Sequence, residues 1–132
     1  MAARFSKRIA DAIDEVQMIA IRAGIRPHRF IGVWAVVVNG RVFVRPWTNG
    51  PNGWYRVFEG EPRGTIQVAG RSVRVRGVTR RGERLLDAID RAYKEKYVRP
   101  YQRNFVTGFA RTRRRARTLE LIPGTPSTSE KP

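Results

Sequence analysis

An antiparallel β-barrel carrying helices is the fold class this sequence predicts: mainly β, with about six short strands and two or three helices. Three observations lead there. Apolar residues run or alternate in short stretches bounded by Asn-Gly, Ala-Gly and Gly/Pro turns. Strand follows strand through tight hairpins, without the βαβ rhythm of a parallel sheet and without an internal repeat. The chain of 132 residues is 41% hydrophobic, which suits one globular domain with its own core.

Phe5 to Glu15 reads as a short amphipathic helix, with Ser6 as N-cap and Phe5, Ile9, Ala12, Ile13 and Val16 at helical spacing. Val16 to Ala23 (VQMIAIRA) alternates and is read as a strand, with continuation of the helix to Ile21 as the alternative, and Gly24 to His28 is read as a turn. Phe30 to Val38 is a nearly continuous apolar run, as expected of a strand buried on both faces or lining a barrel. Asn39-Gly40 supplies the positive φ values of a two-residue hairpin. The return strand, Arg41 to Pro46, places Val42 and Val44 on one face and Phe43 and Arg45 on the other. After a Gly/Pro/Asn loop, Asn52 to Phe58 predicts one or two helical turns. Thr65 to Val68 and Ser72 to Val78 form a second hairpin around Ala69-Gly70-Arg71. Gly82 to Tyr97 carries Leu85, Leu86, Ile89, Ala92, Tyr93 and Tyr97 on one side of a helix. Its outer carboxylates, Asp87 and Asp90 among them, are expected to pair with Arg84, Arg91 and Lys94. Val98 to Ala110 reads as a loop and Thr118 to Ile122 as the closing strand. The barrel domain is thus residues 1–122, and 123–132 is a Pro/Ser/Thr tail with nothing to bury, expected to be disordered.

The charge narrows the partners: 27 Lys+Arg stand against 11 Asp+Glu, a formal +16, mostly arginine. Such a field attracts polyanions, and arginine favours planar, bidentate recognition of phosphate and carboxylate. Arginine-rich genome composition is the competing explanation. With no cysteine there is no thiolate nucleophile or disulfide, and the single His28 argues against a histidine-built metal site. No apolar run reaches the roughly 18–20 residues of a membrane span, and the N-terminus lacks the apolar core of a secretory signal. A cytoplasmic protein with no membrane partner is the expectation.

The loop after Arg45 is the candidate site. Trp47 and Trp54 offer flat faces, Arg45 and Arg56 fixed charge, and Gly50 and Gly53 close backbone approach. A planar anionic small molecule suits this mixture, although loop tryptophans also cap cores and fill interfaces. The basic run Arg111–Arg117 has three readings: phosphate contact with nucleic acid, a wall for an acidic ligand tail, or a solvated linker.

Several segments, in order, resemble the flavin-type split-barrel superfamily, above all the DUF2255 family and more distantly the deazaflavin-dependent nitroreductases. The likeness rests on Asn49-Gly50-Pro51-Asn52-Gly53-Trp54-Tyr55-Arg56-Val57-Phe58, closed by Pro62, on the degraded turn Arg22-Ala23-Gly24-Ile25-Arg26-Pro27, and on the second hairpin TIQVAGRSVRVRGV. It spans Val16 to Ile122. The family's Lys-Ser pair is missing from the first turn, and Arg56-Val57 stands where Tyr-x-Asn-Leu is usual. The resemblance implies a six-stranded antiparallel split β-barrel forming a homodimer, with FMN or a deazaflavin (F420) in a groove between protomers. The implied cofactor-binding residues are Arg45, Trp47, Thr48, Asn49, Gly50, Trp54, Tyr55 and Arg56, with Arg26 and Lys96 near the anionic tail. It implies an oxidoreductase in which no residue is compelled to act as acid or base. A cofactor-free binding or structural homologue, and a nonspecific nucleic-acid-binding basic protein, are the alternatives.

Overall fold

The computed structural model describes residues 4–24, 29–47 and 53–124. In chain order the elements are α1 (Lys7–Glu15), β1 (Ile19–Ala23), β2 (Ile31–Val33), β3 (Ala35–Val38), β4 (Arg41–Val44), α2 (Trp54–Gly60), β5 (Arg63–Val68), β6 (Arg71–Thr79), α3 (Glu83–Lys96), a 3₁₀ turn (Pro100–Gln102), α4 (Arg103–Phe109), α5 (Thr112–Arg115) and β7 (Leu119–Pro123). The expected tail beyond residue 124, and most of the expected turn from Gly24 to His28, lie outside the described residues.

Among the described residues, seven strands form one antiparallel sheet in the order β2-β1-β5-β6-β7-β4-β3. Its two edge strands, β2 and β3, are consecutive in sequence and separated only by Trp34. The run read as one strand therefore crosses from one edge of the sheet to the other and nearly closes it into a barrel. Seven segments replace the expected six strands because the run breaks where it changes partner, from β1 to β4. At that break, side chains from α3 and its C-cap residue take up backbone carbonyls. Tyr93 Oη donates to the Trp34 carbonyl at 2.7 Å, and Tyr97 Oη donates to the Ala35 carbonyl at 2.9 Å. Lys96 Nζ donates to the same Ala35 carbonyl at 2.7 Å and to that of Ile13 at 3.0 Å, tying α1 to the corner.

Local sequence explains most of the elements. Ser6 Oγ accepts from the Ile9 amide and caps α1, whose Ala10 and Ile13 are buried. Asn39 and Gly40 have φ of 52° and 75°, the paired left-handed residues of a type I′ hairpin. Ala69 and Gly70 repeat that geometry between β5 and β6. The barrel interior holds Ile19, Ile21, Val42, Val44, Ile66 and Leu121, joined by Ile13 of α1 and by Tyr55 and Phe58 of α2. Gly64 on β5 and Gly77 on β6 make room for Phe58, since a Cβ on either would stand 2.6 Å or 2.9 Å from its ring.

A second core lies outside the sheet. There Val36 and Phe43 meet Leu86, Ile89 and Tyr93 of α3, Tyr97 at its C-cap, and Val106 and Phe109 of α4. Burial on both faces accounts for the continuous apolar run around β3. It also explains why the segment expected as loop, residues 98–110, is largely helical. Val106 and Phe109, one turn apart, bury against α3 despite Pro100 and Gly108 nearby. The helices therefore outnumber the two or three expected. On β7, buried Glu120 is bridged by Arg41 and Arg80, each at 2.8 Å. Burial opposes its charge, but the hydrogen bonds from the two arginines hold its carboxyl below the usual range.

Lys96 makes the corner sensitive to pH. Burial pulls its ammonium down to about 8 from 10.5, partly offset by Asp14. Between those values the unfolded chain binds more protons than the folded one. Stability should therefore rise with pH across that window, the burial cost being fully present below it. Lys96→Met is expected to flatten this rise when urea midpoints are compared at pH 7.5 and 9.5, about the span of the shift. An unchanged pH slope in the variant would show that Lys96 does not cause it.

Candidate functional site

The predicted site residues separate. Arg45 is turned inward and only 2% exposed. Its Nε donates to Thr118 Oγ1 at 2.8 Å, and its Nη1 donates to Asp90 Oδ1 at 2.6 Å and to the Phe109 carbonyl at 3.0 Å. The guanidinium also lies 5.7 Å from the Tyr93 ring centroid. Strand alternation places Arg45 on the outer face as expected, but α3 and α4 cover that face, so its charge joins β4 to both helices. It cannot serve as an open anion clamp in this arrangement.

Trp54 and Tyr55 begin α2 and pack against the barrel interior, Tyr55 buried and Trp54 partly so. Trp54 meets Tyr55 and Phe58 edge to face. Arg56 on the same helix is exposed and lies 3.9 Å from Glu59. Thr48, Asn49 and Gly50 lie outside the described residues, as do Arg26 and His28. Lys96 spends its ammonium on backbone carbonyls of the corner.

Trp47 goes the other way, to α4 and α5. Its ring meets Phe105 and Phe109 edge to face at 4.9 and 5.4 Å, and lies over Gly108, where a Cβ would approach it to 2.5 Å. Arg114 stacks on the indole at 3.7 Å while its Nε donates to the Trp47 carbonyl at 2.8 Å. Beside this stack is a depression of about 790 Å³, lined by Trp47, Ala110, Arg111, Thr112, Arg113, Arg114 and Arg117. No carboxylate of the described residues lines it. Arg111, Arg113 and Arg117 have no side-chain partner among the described residues.

The clustering has a structural cause. Arg115, in the middle of the basic run, points away from the groove to α3. Its Nε donates to Asp90 Oδ2 at 2.9 Å, its Nη1 pairs with Glu83 at 3.2 Å, and its Nη2 pairs with Asp87. One arginine thus docks α5, with Asp90 shared between Arg115 and buried Arg45. The partners expected for Asp87 and Asp90 along their own helix are replaced by Arg115, which the fold brings across. With α5 anchored on that side, its other arginines are left to the groove. The arrangement can hold phosphate or carboxylate through several guanidinium groups beside a flat aromatic surface.

Sequence reading found Trp47 and the basic run separately but did not join them. It missed Trp34, stacked on Tyr97 at 4.5 Å, and Phe105, which bridges Trp34 and Trp47. Aromatic residues recurring through 97–109 were the available signal. No helix among the described residues is long and apolar enough to cross a membrane.

Comparison with known proteins adds fold and family. The family described as "Uncharacterized protein conserved in bacteria (DUF2255)" matches residues 7–121. No curated protein matches the chain. Among solved structures, the crystal structure of the conserved hypothetical protein Rv2991 from Mycobacterium tuberculosis is similar, with a TM-score of 0.58 at 13% identity over 91% of this chain and 79% of that one. At that identity the likeness concerns the fold alone.

Proposed function

The chain belongs to the DUF2255 family, whose description assigns no activity, and on that premise we propose that it binds a planar, anionic cofactor of the FMN or deazaflavin type in the groove beside Trp47. The observation that carries this reading is a group of arginines, Arg111, Arg113 and Arg117, that have no side-chain partner among the described residues and surround a groove that no carboxylate of those residues lines. The phosphate or carboxylate tail meets those guanidinium groups. The flat ring meets the Arg114 guanidinium, which is itself stacked on Trp47. The site differs from the expected one in that Arg45, Trp54 and Tyr55 support the fold instead of facing the ligand.

As an oxidoreductase the protein contributes binding, orientation and positive potential, while a bound flavin or deazaflavin supplies the hydride chemistry. Among the described residues, the side chains lining the groove include no carboxylate, histidine or tyrosine to act as acid or base. Positive charge beside the ring favours its reduced, anionic form, which is the electrostatic contribution such a site makes.

Titration of nucleic-acid-free protein with FMN and with a deazaflavin, followed by tryptophan emission at moderate salt, tests this. Saturable binding at micromolar concentration with quenching is expected for one of them. Absence of saturable binding to either ends the cofactor reading and the oxidoreductase assignment with it.

A further inference from the structure

Next to the groove, and outside its lining, lies an exposed aromatic ridge. Tyr101 is 62% exposed and Phe105, four residues on, is 41% exposed. The 3₁₀ turn that carries Tyr101 leads directly into α4, which carries Phe105. Phe105 touches Trp47, itself 38% exposed, so the ridge runs from Tyr101 through Phe105 to the rim of the arginine groove. Soluble proteins seldom leave three aromatic rings in such a row without a use.

Two occupants can cover flat apolar rings: a second copy of the chain, or the bases of a nucleic acid. Charge decides between them. A two-fold interface centred on the ridge would bring Arg111, Arg113 and Arg117 of each copy toward their equivalents, on a protein whose formal charge is already +16. A polyanion with flat faces meets the same surface with opposite charge. A duplex keeps its bases stacked on one another and has none to offer the rings, whereas a single strand does.

We propose that the protein binds single-stranded nucleic acid, with bases stacked on Tyr101 and Phe105 and backbone phosphates held by Arg111, Arg113 and Arg117. This goes beyond the cofactor reading, sharing the groove's arginines with it but not its ligand. The surface reads no sequence, because stacking accepts every base and the arginines contact phosphates alone. Three phosphate contacts set the salt dependence, a slope of about −2 in log affinity against log salt.

Fluorescence anisotropy with a labelled oligothymidylate of about 15 nucleotides tests it, beside the duplex of the same length. Single-strand binding at low salt is expected, weakened about fivefold or more by Tyr101→Ala and by Phe105→Leu. Phe105→Leu keeps an apolar body against Trp34 and Trp47. Duplex binding and FMN titration should be unchanged in Tyr101→Ala, which separates this proposal from the cofactor reading. Failure to bind the single strand overturns the proposal, as does equal binding of strand and duplex that neither ring variant alters. Concentration-dependent dimerisation abolished by the ring variants, without strand binding, overturns it in favour of a second copy.

Discussion

Replacing Arg45 by methionine is expected to lower the stability of the fold by about 3 kcal/mol while leaving anion affinity in the groove within about threefold. The stability loss follows from what the guanidinium holds. It is 2% exposed and donates to Thr118, to Asp90 and to the Phe109 carbonyl, so its loss leaves buried acceptors without their donor. The figure belongs at the low end of the range for breaking a buried pair, because Asp90 is about a quarter exposed and keeps Arg115. Arg45→Glu should be far worse, since it sets a carboxylate against Asp90 and the Phe109 carbonyl oxygen. The affinity expectation follows from placement: Arg45, just after β4, is buried against α3 and α4 and is not among the residues lining the groove. Urea midpoints and an FMN titration of the folded Arg45→Met chain check both parts. Unchanged stability with lost affinity would restore Arg45 to the site.

Arg45 also marks where sequence reading stops. Alternation assigned it correctly to the face opposite Val42 and Val44, because side-chain period along a strand is a local property. Whether that face is open or covered depends on α3 and α4, which arrive at least 38 residues later, at Glu83. The hairpin at Asn39-Gly40, the N-cap at Ser6 and the amphipathic α3 were legible for the same local reason. The break at Trp34 was not, since it follows from which strands the run must pair on each side. Helix α4 was hidden because Asn104, Thr107 and Gly108 are poor helix formers, and burial of Val106 and Phe109 outweighs them only in the folded chain. The candidate site was legible as ingredients. Trp47 and the arginines of 111–117 were both singled out, but their joining rests on Arg115 docking α5 against three carboxylates of α3.

The double charge reversal Arg113→Glu/Arg117→Glu should have the opposite signature to Arg45→Met. Anion affinity is expected to fall at least 100-fold, for FMN or a deazaflavin and for the single strand alike. Each arginine supplies a charge-assisted contact of about 1.4 kcal/mol or more, and each glutamate adds repulsion to its loss. Stability should change by about 0.5 kcal/mol or less, because Arg113 is exposed and neither side chain has a partner among the described residues to strand. Lowering the formal charge from +16 by four also relieves self-repulsion. A global loss of field would weaken anion capture without any specific site, so the control reverses two arginines away from the groove, Arg84 and Arg91 on the outer face of α3. That variant carries the same net charge and should lose only the few-fold that long-range attraction contributes at moderate salt. Equal losses in the two variants would mean that the protein attracts anions by its overall field and that the groove beside Trp47 recognises none. A large loss confined to Arg113 and Arg117 would place recognition in the groove, where binding and folding are carried by different arginines of the same short run.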